Sequence, residues 1–148
     1  MTPTVTPPPA RRDRPFALEH LRFGGLWLAI GVALVALVVI ASLARVPAPV
    51  EGVMLHDKAV HLVVYAVLML WFAQLFPRAP ARLLLAVGLA LLGAGVEYLQ
   101  GMTATRLFDR LDMFANCAGV LLAWALSHTV LGRVLPAVER RFARARGV

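Results

Sequence analysis

Long apolar runs and short polar connections alternate along this chain, and the apolar runs number four. The first, Phe23 to Ala44, contains no charge, and the second, Lys58 to Phe76, is interrupted only by His61 and Gln74. The third, Leu83 to Thr105, carries one formal charge, Glu97, and the fourth is Met113 to Gly132. Each approaches or reaches the roughly 20 residues with which a helix crosses about 30 Å of hydrocarbon. Membrane β-strands would alternate apolar and polar residues over about ten positions, which these runs do not do. The pattern predicts an all-α fold, an integral membrane four-helix bundle.

Composition sets the solvent. Of 148 residues 60% are hydrophobic and 16% charged, a balance that a soluble domain of this size could not hide in its core. The lipid bilayer is therefore the first expected partner. A net charge of +7 invites comparison with nucleic-acid binders, but the basic residues are almost all arginine and sit in short stretches between apolar runs. That distribution speaks of topology, and no nucleic-acid partner is expected. The single cysteine, Cys117, lies within an apolar run, so no internal disulfide can form.

Three divisions follow. Residues 1–22, opening MTPTVTPPPARRDRP, read as a disordered, basic, Pro-rich leader. Residues 23–132 hold the four spans, and 133–148 form a basic C-terminal tail. The first run is longer than the 7 to 15 apolar residues typical of a cleavable signal, so it reads as a retained span. In the tail Leu135, Val138 and Phe142 have helical spacing suited to an interfacial helix, but a solvated arginine tail is the preferred reading. Arginine is concentrated in the leader, in the second connection (Arg78, Arg82) and in the tail, whereas four of the eight acidic residues fall in the other two connections. The positive-inside rule then places both termini in the cytoplasm.

On that topology the polar residues converge on the outer side. Asp57, His61 and Tyr65 are spaced by four and share a helix face. Glu97 and Gln100 lie on neighbouring turns of the third span, and Asp109, Asp112, Asn116 and Gly119 recur at threes and fours into the fourth. An ionisable group in hydrocarbon costs several kcal/mol unless it meets a partner or water, so these residues should face one another. The inner halves are almost wholly apolar apart from Gln74 and His128.

The ordered set Asp57-Lys58-x-x-His61 with Tyr65, Glu97-x-x-Gln100 and Arg106-x-x-Asp109-x-x-Asp112-x-x-x-Asn116-x-x-Gly119 resembles the VanZ-like family of small bacterial membrane proteins, over about residues 24 to 130. The resemblance implies a multi-pass protein of the bacterial cytoplasmic (inner) membrane. The family's namesake is associated with reduced sensitivity to the glycopeptide antibiotic teicoplanin.

Each residue carries a functional and a structural reading. Asp57 serves as a helix N-cap or as part of the pocket. Lys58 snorkels to the headgroups or contacts an anion. His61 is a hydrogen-bonded structural histidine or a proton carrier. Glu97 is a tuned acid or base, or the partner of Arg106 in an ion pair between helices. Gln100 orients Glu97 or bonds across helices; one of Asp109 and Asp112 caps the fourth span while the other faces the pocket with Asn116. Gly88, Gly93, Gly95 and Gly119 permit close helix approach.

The candidate catalytic set is Glu97, His61 and Asp112. The candidate substrate contacts are Lys58, Arg106, Gln100, Asn116, Asp57, Tyr65 and Asp109. Suitable metal ligands occur among them, but no local signature such as His-Glu-x-x-His is present, so no metal is assigned and no cofactor is named. The expected functions are an enzyme acting on an anionic lipid or lipid-linked envelope substrate, or a non-catalytic protein binding a lipid or membrane partner and involved, as the resemblance implies, in envelope stress or glycopeptide antibiotic resistance. A proton-coupled transporter is weaker, because the inner half lacks matching ionisable groups. A homo-oligomer stays open.

Overall fold

The computed structural model describes residues 16, 18, 21–44, 54–102 and 108–145, with side chains in the second of these long stretches from Asp57 onward. Among the described residues the fold is all-helical. The helices are α1 (Gly24–Leu43), α2 (Met54–Leu75), α3 (Ala79–Gly101), α4 (Arg110–Leu126) and α5 (Val134–Ala145), the last preceded by a 3₁₀ turn at Val130–Arg133. Three of them, α1, α2 and α3, are long and apolar enough to cross a membrane, and α4 with the segment after it makes a fourth if that bent pair is one span. This is compatible with a multi-pass membrane protein.

The most extensive interface joins α2 to α4, while α1 packs on α2 and α3 and stays the least buried of the long helices. Leu68 and Met69 of α2, Leu89 of α3 and Val120 and Ala123 of α4 form the central core. Glycine decides two of the crossings. A Cβ at Gly119 would overlap the Leu62 carbonyl oxygen, and one at Gly31 would stand 2.9 Å from the Trp71 ring. Gly93 likewise receives the side chains of Tyr65 and Asn116, but Gly88 and Gly95 have open space beside them and contribute no close approach.

Helix ends account for the departures from the apolar pattern. α3 starts at Ala79 rather than Leu83, since Pro80 sits in its first turn, where a missing N–H costs nothing. Arg82 thereby enters the helix instead of the connection. The expected fourth span stops at Leu126 rather than running to Gly132. Ser127 and Thr129 donate their hydroxyls to the carbonyls of Trp124 and Leu126 at 2.6 Å, and Thr129 Oγ1 accepts from the Leu131 N–H, so local side-chain bonds end one helix and start the next turn. The chain bends by 76° there.

The region after the bend is not a solvated tail. Leu135 is buried with Leu21, Phe72, Leu75 and Phe76, and its free first-turn N–H donates to Gln74 Oε1 at 2.7 Å. Glu139 accepts from the N–H groups of Arg22 and Phe23 and from Trp27 Nε1, satisfying unpaired donors at the start of α1. At the end of the expected leader Phe16 stands edge-on to Phe76, and Leu21 belongs to the same apolar cluster as Phe76. The rest of the leader, residues 1–15, 17, 19 and 20, lies outside the described residues.

Replacing Gly119 by Ala is expected to force α2 and α4 apart and to cost about 1–3 kcal/mol. Gly88→Ala should cost nothing. Thermal melts of the purified variants in one neutral detergent test this, and equal melting points for the two would contradict the crossing.

Candidate functional site

At the end of the helices where α2 begins, α3 finishes and α4 begins, seven of the expected residues meet. The α2–α4 crossing sets their depth. Lys58 Nζ donates to Asp109 Oδ2 at 2.6 Å and to Asp112 Oδ1 at 2.9 Å, bridging α2 to the first turn of α4. It neither reaches for headgroups nor stands free to receive an anion, because two carboxylates lie closer. Asp57 is inside α2, which begins three residues earlier at Met54, so it is not that helix's N-cap.

His61 connects the same two helices. Its Nδ1 lies 3.1 Å from Asn116 Oδ1, and an amide oxygen can only accept, so Nδ1 carries the proton. Nε2 then faces Asp57 Oδ1 at 3.9 Å and Asp112 Oδ2 at 4.0 Å. The ligand atoms of Asp57, His61 and Asp112 all lie within 4.8 Å of one another, a set of one nitrogen and two oxygens with which a divalent cation can be held. Asn116 would serve such an ion by fixing the imidazole tautomer. No sequence signature announced this group, because its third member comes from another helix 51 residues after His61.

Asp109 is the N-cap of α4, its Oδ1 accepting from the Leu111 N–H at 2.8 Å, and Asp112, 6% exposed, is the carboxylate turned inward with Asn116. The division of labour expected for these two aspartates is the one observed. The Lys58 ammonium, and then the Leu111 N–H, hold the Asp109 carboxyl below the usual carboxylate range.

Glu97 is 2% exposed. Its Oε1 accepts from the Asp109 N–H at 2.7 Å, which fastens α3 to the entry of α4. Among the described residues its Oε2 has no hydrogen-bond partner, and neither has the buried hydroxyl of Tyr65 one turn below His61 on α2. Gln100 bonds across helices, its Nε2 donating to the Ser42 carbonyl of α1 at 2.7 Å. Arg106, expected beside Glu97, lies outside the described residues, as do Thr103 and Thr105.

A second polar group, at the opposite end of the helices, was not anticipated. Arg82 is 6% exposed and donates from Nε to the Ala73 carbonyl at 3.3 Å and from Nη1 to the Ser127 carbonyl at 2.9 Å. An arginine immediately followed by an apolar run was the available signal, and it counts equally as a topology marker. In comparisons with protein-family models, curated proteins and solved structures, none matches this chain.

Two outcomes follow for the ion pairs. Lys58→Ala strands the inward-facing Asp112 and is expected to cost about 2 kcal/mol, between the ~1 of an exposed pair and the ~4 of a buried one; a denaturant titration checks it. Asp109→Asn keeps a capping side chain but gives up the charge. Since the folded pKa of Asp109 is depressed, its contribution is present above the ordinary carboxylate value and disappears as pH falls through the lower folded one. Melting points of wild type and Asp109→Asn should therefore differ at neutral pH and converge in acid, below about pH 4; a constant difference would refute the pairing.

Proposed function

We propose that this chain is a VanZ-like integral membrane protein of the bacterial inner membrane, with both termini cytoplasmic and an outward pocket that performs acid–base chemistry on an envelope substrate carried by lipid. Glu97 is the group that gives or takes the proton, His61 is its proton partner, and Asp112 with Asn116 orients the imidazole. The observation that carries this reading is a carboxyl group almost wholly removed from solvent, with one oxygen fixed by a backbone N–H and the other without a partner among the described residues. A carboxyl so placed is positioned and still has a site for a proton or a substrate atom.

The topology rests on three supports. The motif set that resembles the VanZ-like family supplies the residues of the pocket. Glu139 ties α5 to the start of α1, so the chain enters α1 and leaves α4 at the same end. Arg78, Arg82, Arg133 and Arg140 gather at that end, as a cytoplasmic face requires. The fourth span is α4 with 17 residues, about 25 Å, at the short limit for crossing. After the 76° bend α5 lies along the interface, with Val134, Val138 and Phe142 exposed as its apolar side and Arg140, Arg141 and Arg144 available to headgroups.

Lys58 is committed to carboxylates. The second reading is a non-catalytic protein, binding a lipid or membrane partner, in which the polar cluster pins helices together. The observation favouring it is that Lys58, His61, Glu97 and Gln100 each bond to a different helix or to its entry.

Glu97→Gln separates the two, because the amide oxygen can still accept from the Asp109 N–H. The envelope lipids of a strain lacking the protein are compared with those of the same strain carrying wild type or Glu97→Gln. A lipid-linked species that builds up without the protein, clears with wild type and persists with a variant of unchanged melting point is the expected result. Full clearance by the variant, or a variant that fails only because it is unstable, contradicts the acid–base role.

A further inference from the structure

Arg82 is a buried cation without a counter-charge. Among the described residues its partners are two backbone carbonyls, those of Ala73 and Ser127, and no carboxylate pairs with it. The two carbonyls offer partial negative charge from the last turns of α2 and the end of α4, which offsets a fraction of the desolvation of a guanidinium. A guanidinium has five N–H donors, and these bonds use two. The surroundings add charge of the same sign. Arg82 lines a cavity of about 380 Å³ together with Arg133, Arg140 and His128, and none of the described residues that line it is acidic.

We infer that this cavity is a binding site for a phosphate-bearing anion. Three arginines around one space repel each other when it is empty and are drawn together by an anion between them. The planar fork of Arg82 suits two phosphate oxygens, and its bonds to Ala73 and Ser127 hold it before any ligand arrives. Arg133 lies on the 3₁₀ turn and Arg140 on α5, so the ligand would also fasten the bent segment to α2 and α3. His128 contributes a donor at the bend. The site is independent of the pocket around Glu97, since Arg82 and Glu97 are 15 positions apart on α3, about 22 Å.

The phosphate can belong to an anionic lipid headgroup or to a free soluble anion, and two arms of one experiment tell these apart. Arg133 and Arg140 are exposed, so the double variant Arg133→Gln/Arg140→Gln should fold. The control is Arg141→Gln/Arg144→Gln, with the same change in net charge on residues that do not line the cavity. In the first arm the full-length protein is extracted from nanodiscs of mixed phosphatidylglycerol and phosphatidylcholine, and retained lipid is counted by native mass spectrometry. In the second, inorganic phosphate is titrated into protein in neutral detergent while the melting point is followed.

Preferential retention of phosphatidylglycerol by wild type, reduced at least fivefold in the cavity variant and less than twofold in the control, assigns the site to a lipid headgroup. A melting point raised by phosphate in wild type and control but not in the cavity variant, without lipid preference, assigns it to a soluble phosphate. If wild type responds in neither arm, or the two double variants lose the response equally, the proposal is wrong. Arg82→Lys, which keeps the charge and loses the fork, should show an intermediate response if it folds.

Discussion

Where α2 crosses α4, the missing side chain of Gly119 lets that helix rest against the Leu62 carbonyl. Everything at the polar end depends on this contact. It puts Lys58 within hydrogen-bond distance of Asp109 and Asp112 and His61 within reach of Asn116, five residues from α2 and from α4 with its cap that would otherwise stand apart. A wider crossing would leave a lysine, a histidine and an inward-facing aspartate in apolar surroundings without partners, each a cost of several kcal/mol. Close backbone approach and polar satisfaction are thus one constraint. The third helix joins through Glu97, whose carboxylate oxygen takes the Asp109 N–H and so ties the floor of the cluster to the helix cap.

The molecule keeps two kinds of charge at two ends. Near the start of α2 the described groups are acid-rich, with Asp57, Asp109, Asp112 and Glu97 around Lys58 and His61. At the other end Arg82, Arg133 and Arg140 line a cavity with no acidic residue among its described neighbours. Leu68, Met69, Leu89 and Val120 occupy the length between them. Neither end can neutralise the other over more than 20 Å of low-dielectric interior.

The bend after α4 gives that second end its shape. Hydroxyls of Ser127 and Thr129 take up local carbonyls, and a Cβ at Gly132 would overlap the Ser127 carbonyl oxygen, so the chain folds back closely on itself. Leu135 then reaches the core and Glu139 reaches the start of α1. A segment whose composition reads as a basic tail becomes a strap across the ends of α1 and α2. Its arginines face the cavity and the surroundings because its one acid and its buried leucine are already engaged.

The helical character of the chain and the approximate extent of its three long apolar helices were legible in the sequence, because the affinity of a run for an apolar environment is a sum over its own residues and needs no partner. So was the shared face of Asp57, His61 and Tyr65, since helical spacing is local geometry. The pairings were not legible. Lys58 chose two aspartates over headgroups, Gln100 chose the Ser42 carbonyl, and Arg82 went inside, each because of the depth and rotation at which helices cross. The end of α4 escaped for a different reason: no formally charged residue interrupts the stretch through Ser127 to Gly132, whereas hydroxyl bonds to the backbone ended the helix at Leu126. Sequence alone decided which residues had to leave water together, because that is settled residue by residue. Tertiary structure decided which polar groups they brought with them, because a hydrogen bond needs two atoms within about 3 Å, and only the packed helices set that distance.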